Sequence, residues 1–374
     1  MNNAITKITT IEAVCFVIVT IVNRIILNLP QLILQSCGSS SLLNIIFISV
    51  IAIIFTLILI KLFKNFSNSD IVDVSEFVGG QFFKNVIAVI LILYLITFSS
   101  LLIRNFSEVI HSIYYSETSI FYLLAFFIVT AIISNFLGAK PIFKANVVIV
   151  LIMLLSLFVT FISVFPNIVW QRIFPILGNG ASATFFYGLS NLCSFNGLMC
   201  LYFILPLLSE KKDFKKISII SVVLLSILLF LSTACLLLSL SFSINIKDIS
   251  SIYTLITNNE FGTFLQHPES LFVFTWILSI MTYLNLTVLF ITRFSQKLIN
   301  VKSSKLLILI TCIIIFIIAL LPQNILQVRD FENIIYKYLT TPLIFIIFPI
   351  ILIIANIKFK KTHNSTTRKE QSHE

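Results

Sequence analysis

Charge is scarce in this chain. Asp, Glu, Lys and Arg make up 11% of its 374 residues, against about a quarter in a soluble domain. So little charge cannot cover a water-facing surface, which excludes an ordinary soluble enzyme or carrier. Glycine is scarce as well, with nine residues and no Gly-rich phosphate loop. Six cysteines contain no Cys-x-x-Cys, so neither a disulfide framework nor a redox motif is present. Most of them fall in apolar runs, where Cys packs as a small apolar residue. None of the four histidines stands at metal-ligand spacing from another ligand. Gly-x-Ser-x-Gly and His-Glu-x-x-His are both missing. No motif supports an enzyme, and none implies a cofactor or a metal.

Apolar side chains fill the space that charge leaves. The chain is 58% hydrophobic, with 37 Phe and a mean hydropathy of +1.07. About 20 apolar residues cross a bilayer core. Ten segments meet that need: 11–35, 42–62, 86–106, 119–137, 145–165, 184–208, 217–242, 270–292, 304–321 and 339–357. The fold class is therefore an all-α polytopic membrane protein with ten transmembrane helices. No cleavage site follows a short apolar core in the first segment, so it reads as a retained span.

The net charge of +10 does not imply nucleic acid, because its distribution is that of a membrane topology. With a cytoplasmic N-terminus, 19 of the 25 Lys and Arg fall in inner loops and termini. Four fall outside: Arg172, Lys247, Arg329 and Lys337. Arg24 and Arg104 lie in spans. The asymmetry places both termini in the cytoplasm.

Two segments are interrupted by polar residues at matching positions. Segment one carries Asn23, Arg24, Asn28 and Pro30. Segment six carries Gly188, Ser190, Asn191, Ser194, Asn196 and Gly197. Broken helices at equivalent places in two halves point to a transporter-type binding site. Ten spans divide into five and five, and an odd repeat inverts the second half. This predicts a 5+5 inverted repeat, 1–165 and 166–358, with helices 1 and 6 broken, then a disordered polar tail over 359–374. Short surface helices are expected around Ile252, Tyr253 and Ile256, and again around Phe261, Phe264 and Leu265.

Arg24 lies about 20 Å into its helix at 1.5 Å per residue, too deep to reach water easily. It either faces a cavity, meeting a ligand carboxylate or a coupled acid, or forms a structural ion pair. Asn23 and Asn28 suit the caps of a broken helix, and Pro30 suits a kink. The Ser and Asn of segment six favour a pocket over simple small-residue packing. Segment three places Tyr94 at mid-depth; its Arg104 and Glu108, at i,i+4, predict a local ion pair. Segment eight adds Thr282 and Tyr283. Glu12 suits the N-terminus of the first helix. The candidate ligand-binding set is Asn23, Arg24, Asn28, Tyr94, Ser190, Asn191, Ser194, Thr282 and Tyr283.

Several short stretches resemble the B subunit of nutrient germinant receptors, the spore germination permease family. They are Ile8-Thr-Thr-Ile-Glu12, Tyr94 through Arg104-Asn-Phe-Ser-Glu108, Phe136-Leu-Gly138-Ala-Lys-Pro-Ile-Phe-Lys144, and Leu205-Pro206 before a Lys-rich loop. Lys144 stands where the family leads one to expect Arg. The resemblance implies an amino acid/polyamine permease-type fold. It also implies a receptor in the spore inner membrane with a larger A-type subunit and a lipoprotein C-type subunit, sensing amino acids, sugars or similar nutrients. The break of segment one departs from related permeases. It lacks the glycines whose backbone amides receive a carboxylate. A secondary transporter of amino acids or other small solutes is the alternative, and a structural subunit with a vestigial pocket is a third reading.

Overall fold

The computed structural model describes residues 7–239, 251–257, 268–299, 301 and 303–370. Regular structure among them is helical, apart from one bridge between Ile8 and Leu208. The first helix, α1 (Thr10–Leu27), starts where the sequence signals it. Thr9 and Glu12 form a reciprocal capping box that satisfies two of the free N–H groups of the first turn. It stops at Asn28, and α2 (Leu29–Cys37) resumes with Pro30 in its first turn, where the missing N–H costs nothing. Then come α3 (Ser41–Phe63), α4 (Ile71–Tyr114), α5 (Ile120–Leu137) and α6 (Ala139–Val164). Helix α4 bends sharply at Gly80, whose φ of +74° is a left-handed value that L side chains avoid.

Segment six is not an α-helix. It begins with a π turn (Ser182–Phe186) and continues as a 16-residue 3₁₀ run (Tyr187–Tyr202). Such runs rarely exceed three or four residues. After it come α7 (Phe214–Ser239), α8 (Ser251–Thr257), α9 (Pro268–Ile299), α10 (Ser304–Leu320) and α11 (Ile325–Ile334). The last of these passes through π turns at Ile335–Thr340 and Leu343–Ile347 into α12 (Phe348–Glu370).

Eight helices among the described residues are long and apolar enough to cross a membrane, and α10 is a shorter apolar helix. Their outward faces are oily: Leu151, Leu155 and Phe158 of α6 are each about 60% exposed. The Lys-rich loops gather at one end of the bundle. There Ile8 pairs with Leu207 and Ser209, and Lys297 bridges Asp70 (2.6 Å) and Asp73 (2.7 Å). Asn65 donates to Asn356 (2.9 Å) at the same end. The opposite end holds the contact of Arg172 with the Leu238 carbonyl (3.0 Å) and that of Tyr253 with Tyr114 (3.3 Å).

Two expectations change. The last span begins at Ile325, well before 339, because Arg329, Asp330, Glu332 and Lys337 lower the hydropathy of its first turns without breaking the helix. The polar tail is helical through Glu370 and not disordered; a helix already nucleated by an apolar span extends at little cost. In the 243–269 stretch, a short helix forms around Tyr253 and Ile256, while Phe261, Phe264 and Leu265 lie outside the described residues.

Two groups of helices pack around the breaks. Helices α1, α2 and α3 pack with α7 and segment six, while α4, α5, α9 and α10 pack with one another. Helix α6 lies against both α1 and α9.

Candidate functional site

The two groups meet along α1, and the space between them is the candidate site. Thr20 is one helical turn from Phe16 on α1. Tyr94 and Phe98 come from α4, Gly197, Cys200 and Phe203 from segment six, and Tyr283, Thr287 and Phe290 from α9. Together they line a narrow cleft. These are segments one, three, six and eight, those whose mid-depth polar residues stand out in the sequence. The lining is mostly aromatic. Phe16 stacks on Phe290 with ring centroids 4.9 Å apart, and Phe203 lies 4.7 Å from Phe290. A few hydroxyls and a thiol are set into that wall, the usual make-up of a small-molecule pocket.

Segment six comes this close to α1 because position 197 has no side chain. A Cβ there would overlap Ile21 and Thr20. The outer part of the segment is held by amides. Asn191 Nδ2 donates to Asn44 Oδ1 (2.9 Å) and Ser36 Oγ (3.0 Å), and Asn44 Nδ2 donates to the Thr184 and Gly188 carbonyls (2.8 and 3.0 Å).

Beyond the cleft along the same stripe of α1 lies a buried polar cluster. Arg24 is 3% exposed, and its guanidinium carbon sits 3.4 Å from the centroid of the Tyr336 ring. Desolvated cation–π contacts of this kind are worth about 2 kcal/mol. One turn further, Asn28 Nδ2 donates to Glu332 Oε2 (3.2 Å). Asn105 Nδ2 of α4 donates to the same oxygen (2.9 Å). Two i,i+4 pairs therefore face each other, Arg24 on α1 and Asn28 just past its end against Tyr336 and Glu332 on the last helix. Asn196 of segment six donates to the Tyr336 carbonyl (3.4 Å). Phe98 divides cleft from cluster, its ring 5.5 Å from Tyr94, 5.7 Å from Tyr283 and 5.1 Å from Tyr336.

The predicted residues divide accordingly. Tyr94 and Tyr283 line the cleft. Arg24 and Asn28 belong to the cluster. Asn23 ties α1 to α9: its Oδ1 accepts from Ser279 Oγ (2.8 Å) and its Nδ2 donates to the Val19 carbonyl (3.0 Å). Thr282 bonds back to the Leu278 carbonyl (2.9 Å), and Asn191 anchors segment six. Ser194 is buried, with no hydrogen-bond partner for its hydroxyl among the described residues. Ser190 is exposed and caps its own turn through the Tyr187 carbonyl (2.8 Å); the structure does not bring it to the cleft. Arg104 pairs with Glu108 (2.7 Å) as its spacing predicts, and also donates to the Ala319 carbonyl (3.0 Å). Sequence reasoning misses Thr20, Phe98, Thr287 and Glu332. The first three look like any span residue. The polar i,i+4 pair Glu332 and Tyr336, with Glu332 opposite in charge to Arg24, is the signal that would have found the fourth.

Broken helices around a central cleft define a permease-like membrane protein. A Na+-coupled sialic acid symporter, solved substrate-bound and outward-open, shares this fold: TM-score 0.64 and 12% identity, covering 89% of this chain and 77% of that one. At that identity the likeness is one of fold alone. The chain belongs to the spore germination protein family, whose family model matches residues 7–328. Comparison with curated proteins gives no match.

Proposed function

We propose that this protein is the membrane subunit of a spore nutrient germinant receptor, with both termini in the cytoplasm. A small nutrient, an amino acid or similar, binds in the cleft between α1, α4, segment six and α9. The observation that carries this reading is the cleft itself, which sits where two helix groups meet and is walled by segment six. A ligand bridging the groups favours one arrangement of them over another. Partner subunits of the A type and the lipoprotein C type then read out that shift in the spore inner membrane. The ten-span plan and the 5+5 inverted repeat belong to the same proposal.

Spores lacking this chain should lose germination on one class of nutrient in a panel of single nutrients. Restoring the chain should restore the response, and A-type and C-type subunits should co-purify with it. Normal germination of the deletion strain on every nutrient contradicts the receptor reading. Uptake of labelled solute by the protein alone would favour the transporter instead.

A further inference from the structure

The Arg24 cluster is built with four unused polar atoms. Glu332 is 2% exposed, and its Oε2 accepts from both Asn28 and Asn105. Among the described residues its Oε1 has no hydrogen-bond partner, and neither do Asn28 Oδ1, Tyr336 Oη and Arg24 Nε. A buried polar atom without a partner is costly, and a buried carboxylate without a counter-charge in contact is more so. Arg24 does not supply that contact: it lies over the Tyr336 ring and forms no ion pair among the described residues. Glu332 Oε1 and Asn28 Oδ1, in their present roles, can only accept hydrogen bonds. One hydrogen placed on Oε1 removes the buried charge that has no counter-charge in contact, and turns an acceptor without a donor into a neutral hydroxyl.

We propose that Glu332 is a proton-binding site in the resting protein, with the proton on Oε1. The step is simple protonation, in which the carboxylate gains one proton from water and the only new covalent bond is O–H. The site sits on the joint of segment one, since Asn28 is the residue between α1 and α2 and Asn105 belongs to α4. The charged and titratable groups that face it are Arg24 from α1 and Arg329 and Tyr336 from its own helix. On α4, Arg104 next to Asn105 is already engaged by Glu108 and the Ala319 carbonyl. Loss of the proton leaves a carboxylate beside Arg24 and draws the guanidinium from Tyr336 toward Glu332. That movement pulls on α1 at its break, along the stripe Phe16, Thr20, Arg24 and Asn28 that runs from the cleft. Proton binding and cleft occupancy are therefore linked equilibria. Glu332 and Tyr336 lie beyond the residues matched by the family model.

The test uses the full-length protein in lipid nanodiscs, with Glu332→Gln and Glu332→Ala beside it. Gln copies the protonated acid, keeping one carbonyl acceptor and offering an N–H donor. Infrared spectra at neutral pH should show a protonated-carboxyl C=O stretch in the wild type that Glu332→Gln lacks. The folded state then holds one proton more than the unfolded chain, so wild-type stability falls as pH rises, by up to tenfold in the folding equilibrium per pH unit. Glu332→Gln should lose that slope and match the wild type in melting temperature at neutral pH, while Glu332→Ala melts lower. Absence of the band from the wild type overturns the proposal. So does a Glu332→Gln protein as unstable as Glu332→Ala, the result expected of a structural ion pair.

Discussion

The two interrupted segments are interrupted in different ways. Segment one leaves the helix at a single residue. Asn28 has φ −155° and ψ −10°, yet its N–H still bonds to the Arg24 carbonyl and its carbonyl still receives Leu32 N–H, both at 3.0 Å. The Ile and Val on either side keep regular turns, so the break acts as a joint. Segment six departs from the α-helix along the whole of Ser182–Tyr202, and its Ser, Asn and Gly are weak helix formers. It gains order from outside, through the close approach at Gly197 and the amide contacts of Asn191. Segment one concentrates its polarity at one level beside a buried charge, whereas segment six spreads it along a wall. The first suits movement and the second suits shape.

Substitutions at four positions break or sharpen this contrast. Gly197→Val should have the largest effect. It drives Thr20 and Ile21 away from segment six, and overpacking of a tight core costs about 1–3 kcal/mol. Protein level in the membrane and melting temperature should both fall, with the nutrient response lost. Arg24 comes next. Arg24→Met removes a stacked cation worth about 2 kcal/mol and should abolish the response, whereas Arg24→Lys keeps charge without the planar face and should weaken the response while the protein accumulates. Dose–response curves for germination, read beside immunoblots, separate the two; a normal dose response in Arg24→Met would remove the cluster from function. Asn191→Leu should loosen the wall and raise the nutrient concentration needed, by about tenfold for each 1.4 kcal/mol lost. Ser190→Ala should be silent, within about 0.5 kcal/mol in stability, because its side chain is exposed and only bonds to its own turn. A response as damaged as that of Asn191→Leu would put the exposed face of segment six in contact with something that matters.

Much of this architecture is legible in the residues alone. Thr9 and Glu12 announce the first helix, Asn28 and Pro30 its break, and Arg104 and Glu108 their pairing, because local spacing and local chemistry decide each. The walls of the cleft are not legible. Phe16, Phe98, Phe203 and Phe290 line it, but in a chain with 37 Phe a pocket-facing ring and a lipid-facing ring have the same sequence context. Only packing between distant helices tells them apart. Glu332 was hidden for another reason. Hydropathy reads charged residues as loop, whereas here they occupy the first turns of a spanning helix and one of them turns inward to Asn28 and Asn105. Ser190 shows the converse, a polar residue at a suggestive place whose position on an irregular turn directs it outward.

Filling the cleft is the most direct test of the account. Thr287 lines it from α9, and Leu151 on α6 is 59% exposed on the oily face. Spores carrying Thr287→Trp or Leu151→Trp should be compared at equal protein level for germination against the nutrient that the wild type senses. The account predicts that Thr287→Trp raises the required nutrient concentration at least tenfold and that Leu151→Trp leaves it unchanged. An unaltered dose response in Thr287→Trp would contradict it.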